Sequence, residues 1–138
     1  IIASEINAIT FGTNRIQIGA NTDLNNITTV GCYACTNDND TKTLLNCPTA
    51  RAFLMDVLPS TGTNTSIQTG SWSYVKQIIR PYKDEMMLQR EIQTSGTDEI
   101  KYYDWYKVYT SQNIKKSTTD LTAGATSLTT DNIYLVYE

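Results

Sequence analysis

The sequence contains no histidine. The side chain best suited to proton transfer near neutral pH is therefore missing. So is the imidazole ligand that many zinc sites use. Charged residues are sparse, at 18% of 138 positions, which leaves few charged helix-formers for long helices. The net charge of −3 gives no electrostatic footprint for nucleic acid and no basic patch for anionic lipid. The Lys115-Lys116 pair reads as a solvated surface feature. No run approaches the roughly 18 consecutive apolar residues of a membrane span, so no membrane insertion is expected. No signal peptide pattern is visible, and a start at Ile1 in place of Met reads as a processed product or a fragment. No nucleophile elbow, phosphate-cradling glycine loop, internal repeat, collagen triplet or heptad period is present. The expectation is a protein that is not an enzyme.

Three cysteines are too few and of the wrong parity for a complete disulfide framework. Cys32 and Cys35 have CxxC spacing. On a strand, positions three apart point to opposite faces, so a shared metal would need a turn there. A zinc site would also want four ligands. Buried free thiols are expected, with a Cys35–Cys47 or Cys32–Cys47 bridge as the alternative. The run Asn37-Asp38-Asn39-Asp40 superficially resembles a calcium loop. It lacks the glycine at the sixth position and the glutamate at the twelfth, and reads better as an exposed loop tip. No metal and no cofactor is expected.

What is abundant is Thr, Asn and Ser, which favour turns and β-structure. The length suits one domain with a modest core. Arg15 to Gly19 alternates, with Ile16 and Ile18 facing one way. Leu24 and Ile27 are spaced for one helical turn or a tight corner. Gly31 to Ala34 starts a strand. The apolar run Ala52 to Leu58 fits a buried central strand, closed by Pro59. In Ser71 to Arg80, Trp72, Tyr74, Lys76 and Ile78 share one face, and Ser73, Val75, Gln77 and Ile79 the other. Strands over roughly 71–80, 85–93 and 100–109 form a meander, with a hairpin turn at Gly96. Ile133 to Tyr137 is a final β-run, read as part of a terminal hairpin. The expected fold is mainly β: a small antiparallel β-sheet or sandwich knob with at most short helical turns. Its segments are 1–20, an attachment or interchain strand with apolar Ile1 to Ile9; 21–111, the knob; and 112–138, a terminal strand or hairpin.

A series of landmarks runs through this order. Asp23-Leu24-Asn25, Ile27-Thr28-Thr29 and Gly31-x-Tyr33 come first. Leu44-Leu45-Asn46-Cys47-Pro48 and Ala52-Phe53-Leu54-Met55-Asp56-Val57 follow. Tyr74 to Ile79, Leu88-Gln89-Arg90-Glu91 and Trp105-Tyr106-Lys107-Val108 complete it. The series resembles the knob domain of pyocin and bacteriophage tail fibres, over about Asn21 to Ser111. The resemblance implies a β-rich, non-catalytic knob within a homotrimeric fibre of the virion that adheres to a bacterial surface.

Most matched residues have a structural reading. Leu24, Ile27, Leu44, Phe53, Met55 and Val57 are expected in the core. Gly31 fits a close approach, Pro48 a rigid corner, and Gln89-Arg90 a cross-strand polar pair. The aromatics are contested between sheet packing, subunit seams and stacking on sugar rings. Two to four of Trp72, Tyr74, Tyr82, Tyr102, Tyr103 and Trp105 are expected exposed or at subunit contacts. Trp72, Tyr74, Tyr102, Tyr103 and Trp105 are the candidate ligand-binding residues. The ligand class would be a bacterial surface polysaccharide or related cell-wall polymer. One alternative is a head fibre or capsid decoration that contacts only other virion proteins. Another is a polysaccharide depolymerase, for which Asp56, Asp84, Glu85, Glu91, Asp98, Glu99 and Asp104 supply carboxylates. Such a pair needs a separation of roughly 5–9.5 Å in space.

Overall fold

A computed structural model describes residues 14–59, 65–83, 86–117, 127–128 and 132–136. The expected attachment segment Ile1 to Ile9, the first half of the 60–70 loop, the carboxylates of Asp84 and Glu85, and Ala123-Gly124-Ala125 lie outside the described residues. The chain divides into two compact units, Ile1–Lys107 and Val108–Glu138.

The first unit is built on one seven-stranded sheet. Its strands are β1 (Ile16–Gln17), β2 (Gly31–Cys35), β3 (Phe53–Pro59), β4 (Trp72–Pro81), β5 (Leu88–Ser95), β6 (Ile100–Tyr102) and β7 (Tyr106–Lys107). They lie in the order β1-β2-β3-β4-β5-β6, and β7 also pairs with β5. The mainly β expectation is borne out. Every pairing is antiparallel except β1 with β2, which makes the sheet mixed.

Register puts the core on one face. Tyr33, Met55, Ile79 and Leu88 stand opposite one another across four strands, and all are buried. The next row is Gly31, Val57, Gln77 and Arg90. On β4 the buried face is Ser73-Val75-Gln77-Ile79, and the aromatic face is the open one. Ser73 and Thr94, both fully buried and cross-strand neighbours, satisfy each other at 2.9 Å between hydroxyls. Gly31 has the close approach expected of it: a Cβ there would come within 3.2 Å of the Tyr33 ring. Leu24, Leu44, Phe53, Met55 and Val57 are buried, and Ile27 packs against them.

Several local expectations are corrected. Ile16 and Ile18 do not share an environment: Ile16 is 58% exposed and Ile18 5%. The strand ends at Gln17, so the alternation does not carry through to Ile18. The apolar run of β3 is not buried on both faces, because Leu54 and Leu58 project to the open side. The 36–43 stretch is not simply an exposed tip. It holds one helical turn, α1 (Asp38–Thr41), capped by the Asn37 side chain, which accepts from the Asp40 N–H at 2.8 Å. Thr41 is buried and donates to the Asn37 carbonyl at 3.0 Å. The expected strand over 100–109 is broken at Tyr103 to Trp105 into β6 and β7. The 3-10 turn Leu24–Asn26 supplies the corner expected near Leu24. Cys32, Cys35 and Cys47 are free thiols.

On the open face, Asp56 accepts from Arg15 at 2.9 Å and from Arg80. Lys76 and Glu91, opposite each other on β4 and β5, pair at 3.5 Å.

The second unit contains a 3-10 turn (Ser111–Asn113), β8 (Ile114–Ser117) and β9 (Ile133–Val136). β8 and β9 run parallel, with Ile114 opposite Ile133 and Ser117 opposite Val136. Ile133–Val136 is the expected terminal strand, and the stretch expected to form a hairpin with it lies mostly outside the described residues.

Candidate functional site

Arg90 lies on the core face of β5, between Leu88 and Ile92, and is only 3% exposed. Burying a guanidinium is costly unless its charge and its N–H groups find partners. Here the partners come from three directions. Gln77, its neighbour on β4, accepts from Nε at 2.8 Å. The Trp105 ring lies 4.5 Å from the guanidinium carbon, and the Tyr102 ring 5.9 Å. Both distances fit cation–π contact. Burial pushes the Arg90 pKa down to about 10, opposed by the nearby charge of Asp23, so the group stays cationic at neutral pH.

Gln77 links this cation to the Leu24–Asn26 turn. Its amide donates to the carbonyls of Leu24 at 2.7 Å and Ile27 at 2.8 Å. Asp23 caps that turn by accepting from the Asn25 N–H at 2.9 Å. The same oxygen accepts from the Asn46 side chain at 2.7 Å. Asn46, at φ +53°, turns the chain so that its own carbonyl accepts from the Trp105 indole at 3.0 Å. Asp23, Asn46, Trp105, Arg90 and Gln77 are therefore one connected network.

Hydrogen bonds from Asn46 and then from Asn25 hold the Asp23 carboxyl below the usual carboxylate range. A carboxylate with a lowered folded pKa contributes stability above its unfolded value, near 4, and loses it as pH falls through the folded value. Asp23→Asn is expected to flatten the acid limb of a stability-versus-pH curve below about pH 4, measured by urea unfolding.

The network walls a cavity of about 290 Å³. Tyr102, Tyr103 and Trp105 give it aromatic sides, Asn25 and Asn46 polar ones, and Asp104 a carboxylate. Cys47 also lines it, its thiol pKa pushed up by burial and its Sγ donating to the Thr49 carbonyl at 3.2 Å. Tyr103 is held in place by its hydroxyl, which donates to Gln93 at 3.0 Å, and by Lys101 4.7 Å over its ring.

The five aromatic candidates thus fall into two groups. Tyr102, Tyr103 and Trp105 surround the cavity. Trp72 and Tyr74 sit on the open face of β4 with rings stacked at 6.2 Å, Trp72 63% exposed. Of the six aromatics singled out from the sequence, Trp72, Tyr82, Tyr102 and Tyr103 are exposed. Arg90, Asn25 and Asn46 were not singled out as site residues. The cross-strand polar pairing expected of Gln89-Arg90 is made with a different partner for each: Arg90 bonds Gln77 on β4, and Gln89 bonds Tyr106 of β7 on the open face. The available signal was its position between Leu88 and Ile92 on an alternating strand.

A larger cavity, of about 430 Å³, lies where Phe53 and Leu54 of β3 meet Arg80, Pro81 and Tyr82. Its walls are mostly apolar. Among the described residues, no three His, Cys, Asp or Glu side chains cluster closely enough to hold a metal ion, and no helix is long and apolar enough to cross a membrane.

No protein-family profile matches the chain, and no curated protein matches it. Among solved structures, the chain is similar to an N-truncated R2-type pyocin tail fibre, with a TM-score of 0.55 and 18% identity. The match covers 80% of this chain and 39% of that one, so the chain corresponds to less than half of the fibre's length. The protein has a tail-fibre-like fold.

Proposed function

We propose that the protein is the non-enzymatic knob of a bacteriophage fibre, part of the virion, which adheres to a glycan or cell-wall polymer on the bacterial surface. The observation that carries this reading is the fold shared with a pyocin tail fibre. The aromatic cavity beside Arg90 supports an adhesive role. Flat rings with polar tips suit sugar rings, which present an apolar face and a rim of hydroxyls. Single sites of this size bind weakly, and a homotrimer would raise the attachment by multivalency.

The second unit favours assembly. Ile114, Ile133, Leu135 and Val136 of its parallel strand pair are exposed. Parallel strands are ordinarily covered on both faces, so these side chains fit contact with other subunits or virion proteins.

The full chain, fluorescently labelled, is expected to co-sediment with intact cells of at least one strain in a bacterial panel. Light scattering on the same sample is expected to give three times the chain mass. Failure to sediment with any strain by a protein of trimer mass would remove the adhesive role and leave a purely structural virion component.

A further inference from the structure

The face of the sheet turned away from the core carries side chains that the Arg90 cavity does not use. An antiparallel sheet commonly packs one face on its core and leaves the other open. Along β4 the open positions are Trp72, Tyr74, Lys76, Ile78 and Arg80. At about 3.3 Å per residue they span roughly 26 Å. At one end the Trp72 and Tyr74 rings stack at 6.2 Å. At the other end Arg80 meets Asp56, which also accepts from Arg15 at 2.9 Å.

Charge on this face is unbalanced. Among its described residues, Arg15, Lys76, Arg80 and Lys101 stand against two carboxylates, Asp56 and Glu91. Glu91 is taken by Lys76 at 3.5 Å, and Asp56 is shared by two guanidiniums. Lys101, opposite Gln93 of β5, lies 4.7 Å over the Tyr103 ring. The face therefore has an excess of two positive charges on a chain of net charge −3. These four cations are far apart in the sequence, and only the sheet gathers them. Asp98 and Glu99 belong to the β5–β6 turn, past the Trp72 end and away from Arg80.

We infer that this open face is the docking surface for a segment of acidic polysaccharide lying along β4. The inference rests on the adhesive reading above and deepens it, because it gives the charge class of the glycan and a surface other than the Arg90 cavity. Sugar rings stack on the Trp72–Tyr74 end, where Trp72 is 63% exposed. A uronate carboxylate further along the chain reaches the Arg80 end. The Arg80 side chain is 47% exposed and bonds Asp56 through Nη2, which leaves other N–H groups of its fork for the ligand. The excess charge favours an acidic chain over a neutral one and steers its approach.

The test is an NMR titration of the full chain with an alginate oligomer, which is a polyuronate, and with a neutral malto-oligosaccharide of equal length. Both are read at the Trp72 indole N–H. At low salt the alginate oligomer is expected to bind about tenfold more tightly, and the advantage is expected to vanish near 1 M salt, where charges are screened beyond about 3 Å. Arg80→Gln is expected to weaken alginate binding about fivefold. Its unfolding midpoint should stay near that of wild type, because Arg15 still holds Asp56 and exposed pairs contribute little. Trp72→Ala is expected to weaken both oligomers. Equal binding of the two, preference for the neutral one, affinity unmoved by salt or by Arg80→Gln, or no binding of either would overturn the inference. If neither oligomer binds while the labelled chain still sediments with cells, this docking surface fails and the adhesive reading stands. If the chain does not sediment either, both fail.

Discussion

Gln77→Leu is expected to lower the unfolding free energy by about 3–5 kcal/mol, with the urea midpoint falling at unchanged slope. Leucine has nearly the volume of glutamine, so the loss is polar and not a cavity. Gln77 is fully buried and joins three groups: the Leu24 carbonyl, the Ile27 carbonyl and Arg90 Nε. The Leu24 carbonyl keeps one bond, from the Ile27 N–H at 3.2 Å. The Ile27 carbonyl and the guanidinium lose theirs. Orphaning a buried neutral group costs roughly 1–3 kcal/mol, and a charged one more. Gln77→Glu separates the two ends of the side chain. It keeps an acceptor for Arg90 but sets a carboxylate against two carbonyls, so it also destabilises. A change below about 1 kcal/mol in Gln77→Leu would mean that Arg90 is not held as described.

Met55→Ala is expected to cost about 2–5 kcal/mol, through lost transfer free energy and the cavity left behind. Met55 is fully buried, and its register partners are Tyr33 on one side and Ile79 on the other. Its chain neighbour Leu54 is 42% exposed on the opposite face. Leu54→Ala is expected to stay within about 1 kcal/mol of wild type. Thermal or denaturant unfolding of the two variants therefore reads the direction in which the sheet faces its core. Similar losses at both positions would place apolar packing on both faces of β3.

The meander was legible in the sequence because alternation over Ser71 to Arg80 and the glycine at 96 are local signals. Which face of β4 is buried was not. Ser73-Val75-Gln77-Ile79 looks less apolar than Trp72-Tyr74-Lys76-Ile78, yet it is the core face. Its polar members find partners only in three dimensions, Ser73 with Thr94 and Gln77 with Arg90. The parallel pairings of β1 with β2 and of β8 with β9 join segments separated by long connections, and no turn residue announces them. The break between β6 and β7 has a similar cause. The aromatic run Tyr102 to Tyr106 reads as continuous strand, but the Trp105 indole bonds the Asn46 carbonyl, 59 residues earlier. The aromatic half of the candidate site was therefore visible in composition. Its polar half, Arg90, Asn25 and Asn46, is assembled by contacts that span the chain.

The central claim is adhesion to a surface glycan. Its most direct test is competition: the labelled full chain sedimented with a strain that it binds, in the presence of polysaccharide purified from that strain's surface. Loss of sedimentation as the polysaccharide is raised, and no loss with polysaccharide from an unbound strain, is the predicted result. Sedimentation unaffected by the strain's own polysaccharide would contradict the claim.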